Sequence, residues 1–324
     1  MDVRRYSGVH SCMNITLYPH SAGATFTKML RLFALPAATL LLIAANSLLG
    51  GMDSVEANML AALAIVLAGI PHGTLDVEIA AAHFGQNGWA GRAKIIGSYL
   101  GCAAAMVVLW LQLPELALIA FLLISIVHFS RDWRGGVDPF LAMMVGWALV
   151  ALPALASPDD VAMIFAALTG SQNGAVIAAL LGAASVPAAL GSLVFAYWAF
   201  RHDDTQSALE VLACITAALF LPPLVAFAVF FCGLHSPRHM ADALRETGGL
   251  SKLKKAAIVV AVSALSLGLG VLMFLYQGDV PSDMGIVRSA FILISTLTVP
   301  HFILEHLMTS KNHNALSGPK DDCS

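Results

Sequence analysis

The chain has 324 residues, of which 58% are hydrophobic and 11% charged, with a formal net charge of −3 and a mean hydropathy of +0.80. Because soluble domains carry about 25% charged residues, this composition excludes an ordinary soluble domain and predicts a chain that folds in lipid. The lack of a basic tract or an aromatic stacking motif predicts no nucleic-acid partner. Five cysteines without a C-x-x-C spacing favour neither a zinc knuckle nor a disulfide framework.

Apolar segments of the chain are long enough to cross a hydrocarbon core of about 30 Å, which takes about 20 helical residues. In chain order they cover 30–50, 56–73, 95–113, 115–130, 138–156, 207–235, 253–276 and 286–308. The alternation of apolar and polar residues that is typical of a membrane β-barrel is absent from the sequence. We therefore predict an all-α polytopic transmembrane bundle. Residues 160–200 are apolar but interrupted; two crossings there make ten spans, and a re-entrant segment leaves eight. Pro222 and Pro223 predict a kink in the 207–235 helix.

The ends of the chain are polar and mixed, so we expect flexible tails over 1–28 and 311–324 around a single helical domain, 29–310. Lys and Arg concentrate before the first span and in the loop 236–255. Because cytoplasmic loops carry the excess of these residues, we predict a multi-pass inner-membrane protein with both termini in the cytoplasm. In this orientation the segment 160–200 crosses the membrane an even number of times.

Four motifs place ionisable residues at the ends of apolar segments. They read "PHGTLD", with His72 and Asp76; "HFSRD", with His128 and Asp132; "HSPRH", with His235 and His239; and "PHFILEH", with His301, Glu305 and His306. In the predicted orientation all four segments run toward the cytoplasm. The histidines therefore share one membrane level, near the cytoplasmic face.

Each motif places a histidine four residues before an aspartate, a histidine or a glutamate, which puts the two on one helix face. Polar side chains within spans normally face the bundle interior, and neutral imidazole binds iron, zinc and copper. A ligand histidine typically donates its second N–H to a carboxylate, a role that suits Asp76 and Asp132. A lone helix-end histidine is more often interfacial or hydrogen-bonded in the core, and each carboxylate alternatively faces water. Four motifs at one level nevertheless favour a metal site among the helix ends.

The residue types in the motifs also bear on the identity of the metal. Histidines without cysteine argue against a structural zinc site, and no H-E-x-x-H motif for zinc hydrolysis is present. Several histidines with open coordination positions suit Fe(II) and dioxygen chemistry.

In this order, "GIPHGTLD", "HFSRDW", "FCGLHSPRHM" and "PHFILEH" resemble the Brp/Blh-type family of bacterial and archaeal membrane β-carotene 15,15′-dioxygenases. The resemblance covers roughly residues 56–308. It implies Fe(II)- and O₂-dependent cleavage of the central double bond of β-carotene into two retinals, within the lipid bilayer. It also implies a microbial rhodopsin as the recipient of the retinal.

The resemblance, carried over motif by motif, implies a set of iron ligands consisting of His72, His128, His235 and His239. It also implies that Asp76 and Asp132 orient these imidazoles by hydrogen bonds, without binding the metal themselves. The remaining candidates for residues that support the ligands from outside are His301, Glu305 and His306. One of the two histidines among them is alternatively a further ligand.

A tunnel for β-carotene should be lined by aromatic and aliphatic side chains. The aromatic residues beside the motifs are Phe129, Trp133, Phe230, Phe231 and Phe302. Each of them alternatively belongs to the core or to an interfacial belt.

Two other functions remain open from the residues alone. A membrane desaturase or carotenoid hydroxylase with a di-iron site resembles this chain, but carries a larger set of histidines in H-x-x-x-H and H-x-x-H-H boxes. A metal or proton transporter would place ionisable groups along a path through the membrane, whereas the groups here lie at one depth.

Overall fold

The structure is a computed structural model that describes residues 22–48, 51, 55–86, 88–133, 138–276 and 282–316. Within these ranges every regular element is a helix, which confirms the all-α prediction. The α-helices are α1 (Ala22–Leu48), α2 (Val55–His72), α3 (Asp76–His83), α4 (Trp89–Gln112), α5 (Pro114–Phe129), α6 (Pro139–Ala156), α7 (Pro158–Thr169), α8 (Asn173–Ala183), α9 (Ser185–Arg201), α10 (Thr205–Phe220), α11 (Pro223–Phe230), α12 (Ser236–Glu246), α13 (Lys252–Leu275) and α14 (Ser282–Leu316). A 3₁₀ turn, Ser130–Trp133, follows α5, and a π-helical turn, Phe231–His235, links α11 to α12.

Many of these helices are long and apolar enough to cross a membrane. In the described part of the chain the candidate spans are Glu56–His83, Trp89–Gln112, Pro114–Trp133, Pro139–Ala156, Lys252–Leu275 and Met284–Thr309. The pair α8 and α9, bent by 41°, is a further candidate, and Leu32–Leu48 and Thr205–Phe220 are shorter apolar helices. The chain is therefore a multi-pass membrane protein, in rough agreement with the eight to ten spans predicted.

The helices extend further toward the chain ends than the hydrophobic pattern predicts. The first helix begins at Ala22, inside the tail expected over 1–28, and the last continues to Leu316, inside the tail expected over 311–324. Helix propensity does not stop where hydrophobicity stops, since Lys, Met and Leu are all good helix formers. Residues 1–21 and 317–324 lie outside the described ranges, so the prediction of flexible tails is not tested there.

The bundle has buried and peripheral helices. The spans Glu56–His83 and Met284–Thr309 are 50% and 56% buried inside the protein, whereas α4 and α13 are only 11% and 6% buried. The two buried spans carry His72 and His301, and we call the level of the bundle at which these two residues lie the histidine end.

The segment predicted as one kinked helix over 207–235 is instead a helical hairpin. The Glu210 carboxylate, near the start of α10, binds the Arg238 guanidinium at 2.5 Å. A continuous helix would hold residues 28 positions apart about 40 Å from each other, at 1.5 Å per residue. Leu221 is extended (φ −113°, ψ 155°), as expected before a proline, and Pro223 begins α11. The two prolines thus reverse the chain direction, and both ends of the hairpin lie at the histidine end.

The expectation of an even number of crossings within 160–200 is wrong for a related reason. The helices α7 and α8 stay at the far end of the bundle, where the Ser171 hydroxyl between them donates to Glu115 in the first turn of α5 (2.7 Å). From there α9 returns along α6, with the Ser192 hydroxyl donating to the Met144 carbonyl (3.1 Å). The segment therefore crosses the bundle once, and the hairpin that follows crosses it twice.

Candidate metal centre

Five histidine side chains converge at the histidine end. They come from the last residue of α2 (His72), the last turn of α5 (His128), the end of the π-helical turn (His235), the first turn of α12 (His239) and the middle of α14 after Pro300 (His301). The ring centroids lie 4.4 Å apart for His235 and His239, 4.8 Å for His128 and His235, and 5.2 Å for His72 and His301. The rings therefore form one cluster, built by segments far apart in the chain.

Possible ligand atoms of these histidines lie close enough together to hold a metal ion. Two triads have all their ligand atoms within 4.8 Å of one another: His72–His128–His301 and His128–His235–His239. Because His128 belongs to both, the triads meet at a single residue. The exposed fractions of His128, His235 and His301 are 1%, 0% and 8%, so these three rings are buried inside the protein.

The ring nitrogens that face into the cluster lack hydrogen-bond partners within the described structure. They are Nε2 of His128, His235 and His301 and Nδ1 of His72, all of them buried. A buried polar atom without a partner costs about 1–3 kcal/mol, and several of them around one point are unusual in a folded protein. A metal ion among them would satisfy them together, so the residues present fit a metal cofactor.

Carboxylates accept hydrogen bonds from the ring nitrogens that point away from the cluster. The His235 Nδ1–H donates to Asp132 at 2.8 Å, and the His301 Nδ1–H donates to Asp76 at 2.7 Å. Asp132 also lies 3.7 Å from Nε2 of His239. Contacts of this kind orient ligand imidazoles in known metal sites, and Asp76 and Asp132 are placed where such a role is available to them; the role itself stays a prediction.

The third predicted carboxylate, Glu305, lies 3.4 Å from Nδ1 of His128 and 2.8 Å from the Arg131 guanidinium. Arg131 in turn contacts Nδ1 of His306 at 3.2 Å and lies over the Phe302 ring, 4.8 Å from its centre. The structure thus separates the two uncertain histidines of "PHFILEH", with His301 inside the cluster and His306 outside it, beside Arg131.

Two cations near the cluster were not singled out from the sequence. Arg131 sits between Glu305 and His306. Arg238 binds the buried Glu210 and the backbone carbonyl of Asp132, the latter at 3.4 Å. Both arginines stand inside the histidine motifs, "HFSRD" and "HSPRH", and that position is the signal by which they could have been found.

The aromatic residues predicted beside the motifs all contact the cluster or its neighbours. Ring centroids lie 5.0 Å apart for Phe129 and His235, 5.3 Å for Phe231 and His235, and 6.0 Å for Phe302 and His128. Trp133 stacks on Phe230 at 6.0 Å. Phe227, which the sequence did not single out, packs on Phe129 and Phe231. The five rings other than Phe302 pack on one another as an apolar wall beside the cluster. Phe302 instead contacts His128 and the Arg131 guanidinium.

A polar cavity of about 420 Å³ reaches the cluster at the histidine end. Its inner side is lined by His72, His239 and His301. Its outer side carries Asp242, Glu246 and Glu305, and burial together with the charges of Asp242 and Glu305 raises the pKa of the Glu246 carboxyl. The cavity is thus an acidic opening onto the cluster, suited to the passage of a cation.

Comparison with known proteins gives two concordant matches. A family model described as beta-carotene 15,15′-dioxygenase matches residues 63–309, a stretch that includes all five clustered histidines. A protein of an uncultured marine bacterium (66A03), described as beta-carotene 15,15′-dioxygenase, is 31% identical over 249 residues, which cover 74% of this chain and 90% of the relative. No solved structure matches the chain. This chain belongs to the β-carotene 15,15′-dioxygenase family.

Proposed function

We propose that this chain cleaves the central 15,15′ double bond of β-carotene with O₂, giving two molecules of retinal, at an Fe(II) ion held by the histidine cluster. The main support is the convergence of buried, partner-free ring nitrogens in one cluster. Membership of the family supports the substrate and the reaction.

The ligands are the four histidines predicted from the motifs, His72, His128, His235 and His239, together with His301. Imidazole nitrogens backed by carboxylates, with no cysteine among them, suit iron and leave it reactive toward O₂. When bound there, Fe(II) supplies the redox chemistry with O₂ that protein side chains lack.

The residues around the cluster hold protons and exclude water. Asp132 and Asp76 keep a proton on Nδ1 of His235 and His301, so that Nε2 of each ring faces the centre. In the overall reaction the central C=C bond breaks and each of its carbons takes one oxygen atom of O₂, so no proton has to be delivered. The aromatic wall, including Phe129 and Phe231, keeps the reacting olefin in an apolar medium.

The distribution of Lys and Arg over the loops supports an orientation in the membrane. We place the protein in the inner membrane, with both termini and the histidine end on the cytoplasmic side. Retinal released into the bilayer is then available to a microbial rhodopsin in the same membrane.

Expression in cells that accumulate β-carotene tests the function. The expected result is loss of colour and the appearance of retinal, measured by chromatography of extracted pigments. His128→Ala and His235→Ala should lose both activity and bound iron, whereas His202→Ala, whose exposed ring stacks on Trp198 at 4.2 Å, should keep both. If folded, iron-loaded protein leaves β-carotene intact, central cleavage is refuted; hydroxylated carotenoids of full length would point to the hydroxylase alternative.

A further inference from the structure

A second cavity, of about 310 Å³, lies between α4 and α14 near the end of α3. Its apolar lining comes mainly from Ile95, Tyr99 and Cys102 of α4 and from Ile303 and Leu307 of α14, with Ser98 beside them. Polar groups lie at its rim toward the end of α3, where Gln86 and the Lys94 side chain also contribute. The α4 residues fall on one face of the helix, at spacings of three and four. We call this cavity the lateral pocket.

The lateral pocket faces the lipid. Its α4 wall belongs to a helix that is only 11% buried inside the protein, and Ile303 and Leu307 on the α14 wall are 43% and 52% exposed. In a membrane-spanning bundle these apolar side chains meet acyl chains, so a hydrocarbon dissolved in the bilayer reaches the pocket without entering water.

The lateral pocket lies against the segment of α14 that carries His301. Pro300, which lines it, directly precedes His301, and Leu304 lines both this pocket and the acidic cavity. The Tyr99 hydroxyl donates to the Leu297 carbonyl at 3.2 Å, one helical turn before His301. The inner wall of the pocket is therefore part of the frame that holds the His301 imidazole.

The acidic cavity does not suit the substrate. It carries the carboxylates of Asp242, Glu246 and Glu305. These groups make no favourable contact with an uncharged polyene, and a polyene bound beside them would displace their hydration water at a cost in free energy. β-Carotene is a hydrocarbon without any polar group, so its approach has to come from the lipid side.

We propose that the lateral pocket binds one ring-bearing end of β-carotene, which enters from the bilayer between α4 and α14. A volume of about 310 Å³ lies at the lower end of the about 300–1,000 Å³ typical of ligand pockets, so it accommodates one end of the polyene while the central double bond lies toward the histidine cluster. This assignment of substrate binding rests on the proposed function.

Filling the pocket tests the proposal by kinetics. Ser98→Trp places a bulky ring in the pocket, and Leu100→Trp, on the same helix but 62% exposed and outside the pocket lining, is the matched control. We expect Ser98→Trp to raise the KM for β-carotene and lower kcat/KM about tenfold or more, as when an apolar site loses contacts to its substrate, with iron per protein unchanged. A wild-type KM in folded, iron-loaded Ser98→Trp would overturn the proposal.

A binding measurement on the unmodified chain does not depend on activity. Cys102 lines the pocket and is half-buried and free, so its alkylation by a membrane-permeable maleimide, followed by mass spectrometry, reports occupancy. In nanodiscs, β-carotene should slow the alkylation of Cys102, whereas an equal amount of squalane, a saturated hydrocarbon, should not. Equal rates with both would refute occupancy of the pocket. Protection without any cleavage would instead support the pocket and refute the proposed reaction.

Discussion

Replacing Asp132 by asparagine tests how the histidine cluster is held in place. The Asp132 carboxylate accepts the His235 Nδ1–H at 2.8 Å and lies 3.7 Å from Nε2 of His239. Its side chain is only 3% exposed, so salt and water screen these contacts little. One buried carboxylate thus accepts a hydrogen bond from one candidate ligand and lies beside a second.

The expected magnitude follows from what asparagine keeps. The amide has nearly the same shape and still offers one acceptor oxygen to His235, but it carries no charge, and charge-assisted hydrogen bonds are about twice as strong as neutral ones. Loss of an outer partner of a metal ligand typically costs about 10–100-fold in metal affinity. We therefore expect Asp132→Asn to weaken Fe(II) binding about tenfold, equivalent to about 1.4 kcal/mol, and Asp132→Ala to weaken it further, because His235 is then left without an acceptor.

Anaerobic competition between chelator-stripped protein and a chromophoric chelator measures this affinity directly. Asp159→Asn, at an exposed position in the first turn of α7, removes one charge at the far end of the bundle and should bind Fe(II) as the wild type does. Wild-type affinity in both Asp132→Asn and Asp132→Ala would refute the argument that this carboxylate positions ligand imidazoles.

Two further predictions concern α14 and the hairpin. His301→Ala should lower the iron content per folded protein, whereas His306→Ala, whose ring contacts Arg131 outside the cluster, should leave it unchanged; the reverse pattern would contradict the placement of the two rings. Glu210→Gln removes the charge that binds Arg238 across the α10–α11 hairpin. Because Arg238 is 32% exposed, the free energy of unfolding should fall by about 1–3 kcal/mol, less than for a fully buried pair, and a Tm equal to that of the wild type in the same detergent would contradict this.

The convergence of the histidine motifs was predictable because it depends on local rules. Spans end where charged loops begin, and residues four apart on a helix share a face. His235 and His239 keep that spacing across the end of the π-helical turn, and their rings lie 4.4 Å apart.

The partners of the carboxylates were not predictable from the same spacing, because each carboxylate contacts a histidine on another helix. α2 ends at His72, a turn follows, and Asp76 starts α3, from which it accepts the His301 Nδ1–H. A Cβ at Gly73 would lie 3.3 Å from Oδ2 of Asp76, so the glycine of "PHGTLD" leaves room for this pair.

The assignment of His301 and His306 needed the packing of α14. Residues five apart lie about 140° from each other around a helix with 3.6 residues per turn, so only one of the two rings faces the centre. Which one does so is decided by how α14 packs on α2 and α5, and the motif carries no information on that. The hairpin reversal at Pro222 and Pro223 has the same character, since consecutive prolines signal a break in the helix but carry no information on the angle between its two halves.

The position of the cluster at helix ends suits two reactants that prefer opposite media. An ion taken to the bilayer centre would pay a large desolvation cost, and a hydrocarbon drawn out of the bilayer would lose its apolar surroundings. At the histidine end the acidic cavity and the lateral pocket are neighbours, with Leu304 lining both. On the function and the pocket proposed above, iron approaches through polar surroundings and β-carotene through lipid, and neither has to cross the medium that excludes it. The proposed metal site thus has a physical reason to lie where the spans of a carotenoid-cleaving membrane enzyme end.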